Sequence, residues 1–210
     1  MTKVAELWHS RDPRAWTDAL SRYWDYVQPA NLMLERELEK LDLESLKRLD
    51  ALGWYDFLLH KYFRWKYTAK NRYATTTRSL RRYADEGRLD DLDLLKQRLL
   101  TLDTSDIRLG LSVACAIKGL GTAGASGLLS LMYPNTFATV DQFVVKALRG
   151  VRNLPEAGSL AKMNEEALSI KNGVLLIDIM QRKATENNRV FGSAEWTPRK
   201  VDKILWTFGR

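Results

Sequence analysis

Apolar residues recur along this chain at the three-and-four spacing of a helix, and no alternating strand pattern runs beyond four residues. Trp16, Leu20, Tyr23, Trp24 and Val27 share one face behind Asp12-Pro13, a cap followed by proline at the first helical position, and Pro29 ends the run. Leu32, Leu34, Leu38 and Leu41 predict a second helix with a Glu/Lys/Arg outer face. Leu43, Leu46, Leu49 and Leu52 predict a third, expected to stop at Gly53. Further helices are predicted over about 54–66, 75–86 and 90–100, the last with an acidic first turn that suits the helix dipole. Thr104 or Ser105 is expected to cap a helix ending near 117, and a second helix spans 122–133 before Pro134-Asn135-Thr136 breaks it. An extended link over 137–140 leads to Asp141, which caps a helix to about 149. A loop holding Pro155 and Gly158, a long helix over about 164–187, and a last helix opened by Thr197-Pro198 complete an all-α fold. With 210 residues and no repeat or low-complexity linker, the chain reads as one domain, or as two lobes sharing a cleft.

The stretch Ile117-Lys118-Gly119-Leu120-Gly121-Thr122-Ala123-Gly124-Ala125 departs from ordinary helix punctuation. One helix stops at a Gly-apolar-Gly tripeptide and another starts at once, the pattern of a helix-hairpin-helix turn. The glycines open backbone conformations closed to residues with a Cβ. The turn can then aim consecutive N–H groups at a phosphate, aided by the positive end of the second helix. Ala125 and the Leu128-Leu129 pair fall where the second helix needs a small residue and then apolar contacts. Val140-Asp141-Gln142 opens the next helix twenty residues after Gly121.

Over about 105–150 this pattern resembles the helix-hairpin-helix base-excision DNA glycosylases, the superfamily of endonuclease III and the alkylpurine and adenine glycosylases. The resemblance implies a two-lobed helical fold, with one lobe at about 30–135 carrying the hairpin (117–125) and the other at 1–29 with 136–210, the substrate cleft between them. It implies a DNA-repair enzyme acting as a monomer on double-stranded DNA. Lys118, Gly119, Leu120, Gly121, Thr122 and Ala123 would hold phosphate, and a monovalent cation is allowed at the hairpin. Asp141 would be the catalytic carboxylate, stabilising positive charge on the deoxyribose as the base leaves and orienting the attacking water. At ~4 Å and an effective dielectric near 20 that attraction is ~4 kcal/mol, roughly a thousandfold in rate. An ordinary N-cap aspartate contributes ~1 kcal/mol to its helix and no chemistry. The chain departs from the family twice: Lys118 replaces the usual proline, and Ala123 stands where strand-cleaving members carry a nucleophilic lysine. A methyl group forms no Schiff base, so the resemblance implies monofunctional hydrolysis.

Charge agrees with a polyanionic partner: 33 Lys+Arg against 26 Asp+Glu leave +7. Residues 57–84 hold Lys61, Arg64, Lys66, Lys70, Arg72, Arg78, Arg81 and Arg82 and no acid, interleaved with Tyr62, Phe63, Trp65, Tyr67, Tyr73 and Tyr83. Read functionally, Arg72, Arg78, Arg81 and Arg82 meet phosphates and the aromatics stack on an extruded base. Read structurally, these are amphipathic helices with solvated basic faces. Asn71 and Tyr73, expected in a connection between helices, and Gln142 beside Asp141 are the base-pocket candidates. Asp90-Asp91-Leu92-Asp93 reads as a helix start. The glycine-rich face at 121–127 needs closeness, either to a helix or to a phosphate.

Cys115 is the only cysteine and is expected in the core, so no disulfide or four-cysteine iron–sulfur cluster is expected. With His9 and His60 the only histidines, no zinc site or other cofactor is expected either. No apolar run approaches ~20 residues and the first residues lack a signal-peptide core, so a cytoplasmic protein with no membrane contact is expected. Two rivals to the enzyme stay open: a non-catalytic hairpin DNA-binding protein, and a helical interaction protein whose hairpin only packs.

Overall fold

The computed structural model describes residues 3–210; Met1 and Thr2, the first residues of the lobe read as 1–29 with 136–210, lie outside them. The described residues are helical throughout, with no strand. The first elements are α1 (Val4–Trp8), α2 (Pro13–Ser21), α3 (Tyr23–Tyr26), a 3₁₀ turn at Pro29–Asn31, and α4 (Leu32–Leu38). After α5 (Leu43–Lys47), α6 (Ala51–Asp56) continues through a π-helical segment, Phe57–Tyr62, into α7 (Phe63–Lys66). Then come α8 (Lys70–Asp85), α9 (Leu89–Leu100), α10 (Ile107–Cys115) and α11 (Thr122–Met132). The last four are α12 (Gln142–Arg149), α13 (Ala157–Ala161), α14 (Ile170–Phe191) and α15 (Pro198–Gly209).

Several boundaries differ from those read in the sequence, three of them through a local polar group. The first apolar run is parted at Arg22 into α2 and α3. Asp50 accepts the Gly53 N–H at 2.7 Å, so Gly53 sits in the first turn of α6 and does not stop a helix. The cap of α10 is Asp106, accepting from the Leu109 N–H at 2.8 Å, in place of Thr104 or Ser105. Asn164 closes a turn onto the Glu166 N–H, and α14 starts only at Ile170, where Ser169 and Asn172 form a reciprocal capping box. Helix α8 begins at Lys70 and not at 75, so Asn71, Arg72 and Tyr73 lie in its first turn and not in a connection.

Helix α11 is the centre of the molecule, with every residue from Gly124 to Met132 buried. A helix buried all round has no solvent face, which is why its hydrophobic residues show no stripe. It packs beside α10, and both meet α14. Helices α12 and α13 pack with each other, and α15 contacts α12, α14, α2 and α3; α6 and the π segment adjoin α9 and α7. Between these two groups runs the buried non-helical link 137–140. Its N–H groups are met by side chains: Thr139 N–H donates to Asp202 at 2.6 Å and Val140 N–H to Ser126 Oγ at 2.9 Å. That anchoring fixes where the next residue, Asp141, must stand.

Candidate active site and nucleic-acid interface

Asp141 is the extended N-cap of α12, and its Oδ1 accepts the N–H groups of Phe143 and Val144 at 3.0 and 3.1 Å. The other oxygen, Oδ2, accepts no hydrogen bond among the described residues, and Asp141 lines a cleft of about 280 Å³. The cleft is lined by Trp65, Lys66, Asn31 and Glu35 together with Tyr23, Tyr26, Phe143, Trp206 and Arg199. Aromatic edges meet there: Trp206 stands 5.4 Å from Tyr23 and 6.1 Å from Phe143, centroid to centroid. A flat, polarisable lining of this kind suits a heteroaromatic ring held by stacking.

The nearest cation to Asp141 is Lys66, its Nζ 3.8 Å from Oδ2. Burial pushes the Lys66 ammonium below its ordinary range, and Asp141 opposes this only in part. Part of the cleft's lining is a buried ion cluster. Glu35 accepts from Tyr23 Oη and Trp65 Nε1, both at 2.5 Å. Arg199 donates to Glu39 at 3.1 Å, to Asp202 at 3.2 Å and to Thr139 at 3.1 Å, with its guanidinium 5.4 Å over the Trp65 ring. Lys203 donates to Glu39. Burial lifts the Asp202 carboxyl to about 6, with Arg199 opposing, whereas at Glu39 Arg199 and Lys203 together outweigh burial and hold it low. The cluster ties α4 and α7 to the link and α15, setting the cleft's width.

At the hairpin, the two glycines have different reasons to be there. Gly119 has φ +96°, and a Cβ on it would stand 2.5 Å from the Thr76 carbonyl of α8, so both conformation and space demand glycine. Gly121 is extended at φ −88°, a conformation any residue adopts, and a Cβ there would meet nothing within 4 Å. Further along, Gly124 and Gly127 let α11 approach α7 closely: Tyr62 donates to the Gly124 carbonyl, and Tyr67 Oη stands where a Cβ on Gly124 would be. The glycine face thus serves helix packing at 124 and 127, while at 121 no packing partner explains it. Among the described residues no protein acceptor meets the N–H groups of Gly119, Gly121, Thr122 or Ala123. Replacing Gly119 with alanine is therefore expected to cost about 3 kcal/mol and lower Tm by about 6–12 °C. Gly121→Thr, with an equivalent cap residue in open space, is expected to leave Tm nearly unchanged and weaken duplex binding by covering those N–H groups. Thermal unfolding and a binding titration of both variants check the split.

The remaining sequence candidates are dispersed. Lys118 lies over the Tyr83 ring and pairs with Glu86 at 3.2 Å, and Arg82 pairs with the same carboxylate at 2.7 Å. Hydrogen bonds from both cations hold Glu86 down at about 2, so these two charges are largely spoken for. Arg72, Arg78 and Arg81 are exposed along α8 and make no ion pair among the described residues. Leu120 is buried. Asn71, Tyr73 and Gln142 do not line the Asp141 cleft; Tyr73 borders a shallower neighbouring groove with Arg64 and Lys70. Cys115 is half-buried, its thiol pushed up by burial.

Glu35, Lys66, Arg199 and Asp202 were not legible individually as site residues. Glu35 reads as part of a solvated helix face, yet it shares a face with buried Leu38. The available signal was in α15, where Asp202 and Lys203 interrupt the apolar run Val201, Ile204, Leu205 and leave no polar face for solvent. Among the described residues no group of side chains has the makings of a metal site, and no helix is long and apolar enough to cross a membrane. Comparison of the chain with protein-family models, curated proteins and solved structures gives no match.

Proposed function

We propose that this protein is a DNA glycosylase-like hydrolase that extrudes a damaged or modified base from duplex DNA and cleaves its N-glycosidic bond. The observation that carries the reading is the setting of Asp141. One oxygen is held by two backbone N–H groups at a helix start, the other accepts no hydrogen bond among the described residues, and the residue lines an aromatic cleft of nucleobase character. A carboxylate fixed in this way needs no reorganisation as positive charge grows on the sugar, the condition under which electrostatic stabilisation is most effective. Water reaching C1′ beside Oδ2 would be oriented by it and lose its proton to it. The hairpin's open N–H groups and the unpaired arginines of α8 supply a route for the phosphate backbone outside the cleft.

The test is a screen of duplexes carrying uracil, 8-oxoguanine, alkylpurines and hydroxymethylcytosine derivatives, with free base measured directly. Cleft shape, not the hairpin, selects the base, so the panel spans size and hydrogen-bonding pattern. Binding to any duplex is expected to be steeply salt-dependent. With about five phosphates neutralised, log K falls with log salt at a slope of ~−4.5, or roughly 500-fold between 50 and 200 mM. Arg72→Ala with Arg78→Ala is expected to flatten that slope by up to ~2 units, whereas Arg82→Ala changes it by less than ~1 because Glu86 already holds its charge. A folded protein with negligible duplex affinity at 50 mM salt would leave the hairpin as a packing element and remove the enzyme reading with it.

A further inference from the structure

We infer that Lys66 is an amine nucleophile that captures the C1′ aldehyde of the abasic product and cleaves the strand on its 3′ side by β-elimination. The inference rests on the glycosylase reading, because base removal in this cleft is what delivers the aldehyde. It also revises the monofunctional expectation: Ala123 empties one position of its amine, but the fold brings another to the same carboxylate.

Four lysine side chains are buried or nearly so, and three of them are anchored. Lys96 donates to the Leu49 carbonyl and pairs with Asp93; Lys183 donates to the Trp8 carbonyl and Glu186; Lys203 donates to Glu39. The Lys66 ammonium makes no hydrogen bond among the described residues. Its carboxylate neighbour stands at 3.8 Å, well beyond the ~2.7–2.9 Å of a charge-assisted bond. Its stem is fixed, since Cδ lies 3.3 Å from where a Cβ on Gly127 would be, so the glycine of α11 makes the slot in which the lysine runs. Lys66 lines the cleft, and no hydrogen bond among the described residues ties its Nζ to the wall.

The surroundings make Lys66 easier to deprotonate than an exposed lysine. Burial acts first against the ammonium form, and Arg199 adds to it; Asp141, Asp202 and Glu35 pull the other way without cancelling the effect. A neutral Lys66 has a lone pair for attack and also leaves the charge of Asp141 uncompensated for the sugar cation, so both steps want the same protonation state. The chemistry balances without an oxidant or reductant. Nζ adds to C1′ of the ring-opened sugar, and the carbinolamine loses water to give an iminium ion. A base removes a C2′ proton, and that electron pair forms the C2′=C3′ bond as the C3′–O bond breaks. The 3′ phosphate leaves with its electron pair. Water then hydrolyses the imine and returns the free amine.

The experiment uses the full chain and a duplex with a preformed abasic site, so no base release is required. Cyanoborohydride reduces the iminium to a stable secondary amine, read as a covalent adduct on a denaturing gel and by intact mass. The expected result is an adduct on wild-type protein that maps to the peptide holding Lys66. Its rate should rise with pH and level off below the ordinary lysine range. Lys66→Met keeps the stem in the Gly127 slot and is expected to lower trapping at least 100-fold; Lys66→Arg keeps the charge and should fail equally. Thermal unfolding and duplex binding of both variants show that fold and docking survive. Absence of an adduct when wild-type protein is bound to the abasic duplex overturns the inference, as does an adduct that persists in Lys66→Met. Base release in the lesion screen without any adduct overturns the role of Lys66 alone and leaves the glycosylase standing.

Discussion

Asp141→Asn is expected to lower base release about a thousandfold while leaving duplex affinity within about twofold of wild type. Asparagine keeps an Oδ1 that can accept the Phe143 and Val144 N–H groups, so α12 stays capped and the backbone of the cleft stays in place. What disappears is the charge on the cleft side. At ~4 Å from the sugar and an effective dielectric near 20 that charge stabilises the developing cation by ~4 kcal/mol, which sets the size of the fall. Single-turnover rates on the best substrate of the lesion screen, with binding measured in parallel, check both halves. Undiminished turnover would remove Asp141 from the mechanism and leave it a capping residue.

The second large effect lies in the cleft's lining. Arg199→Met is expected to destabilise the fold by about 3–5 kcal/mol, because it leaves Asp202, Glu35 and Glu39 without the cation they share. For a chain of this length that is a fall in Tm of about 6–20 °C. The loss should be greater at pH 8 than at pH 5. Removing the guanidinium raises the folded-state carboxyls above their unfolded values, so stability is retained where they are protonated and lost as pH rises through them. Burial already lifts the Asp202 carboxyl to about 6 with Arg199 opposing, so the extra loss sets in near that pH and grows as pH rises. Circular dichroism melts at both pH values measure it. A loss below ~1 kcal/mol at pH 8 would mean that the cluster does not hold the lining of the cleft together.

Much of the fold was legible because helix ends are written in short-range chemistry. Asp12-Pro13, Asp141 and Thr197-Pro198 cap the helices expected of them, each with a side-chain oxygen on an N–H two or three residues on. Where the reading failed, a neighbouring polar group was chosen over an equally plausible one, as with Asp106 over Thr104 and Ser105, or Asp50 overriding Gly53. Asp141 could be singled out because its context is local. Glu35 and Lys66 could not, because what makes them unusual lies far away in sequence. Glu35 is buried by the Tyr23 hydroxyl and Trp65 indole that close over it, and Lys66 by the glycine slot of α11 and the carboxylate of α12. Likewise the glycines at 119, 121, 124 and 127 look alike as letters and differ only in what stands opposite each of them.

The π-helical turn at Phe57–Tyr62, where the Phe63 N–H reaches back five residues to the Leu58 carbonyl, has a consequence for indels. It acts as one residue's worth of slack spliced into an otherwise continuous rod running from Ala51 to Lys66. Removing a residue there would return the turn to α geometry with Trp65 and Lys66 still on the wall they share, whereas removing one from the α-helical part of the rod ahead of it would turn everything downstream by about 100°. A distant relative with a straight helix at this place would therefore carry the equivalent amine one letter out of step. Its alignment to this chain would need a gap inside a helix, where gaps are usually forbidden. The phase of that rod, more than the identity of any residue in it, decides which side chain the cleft receives.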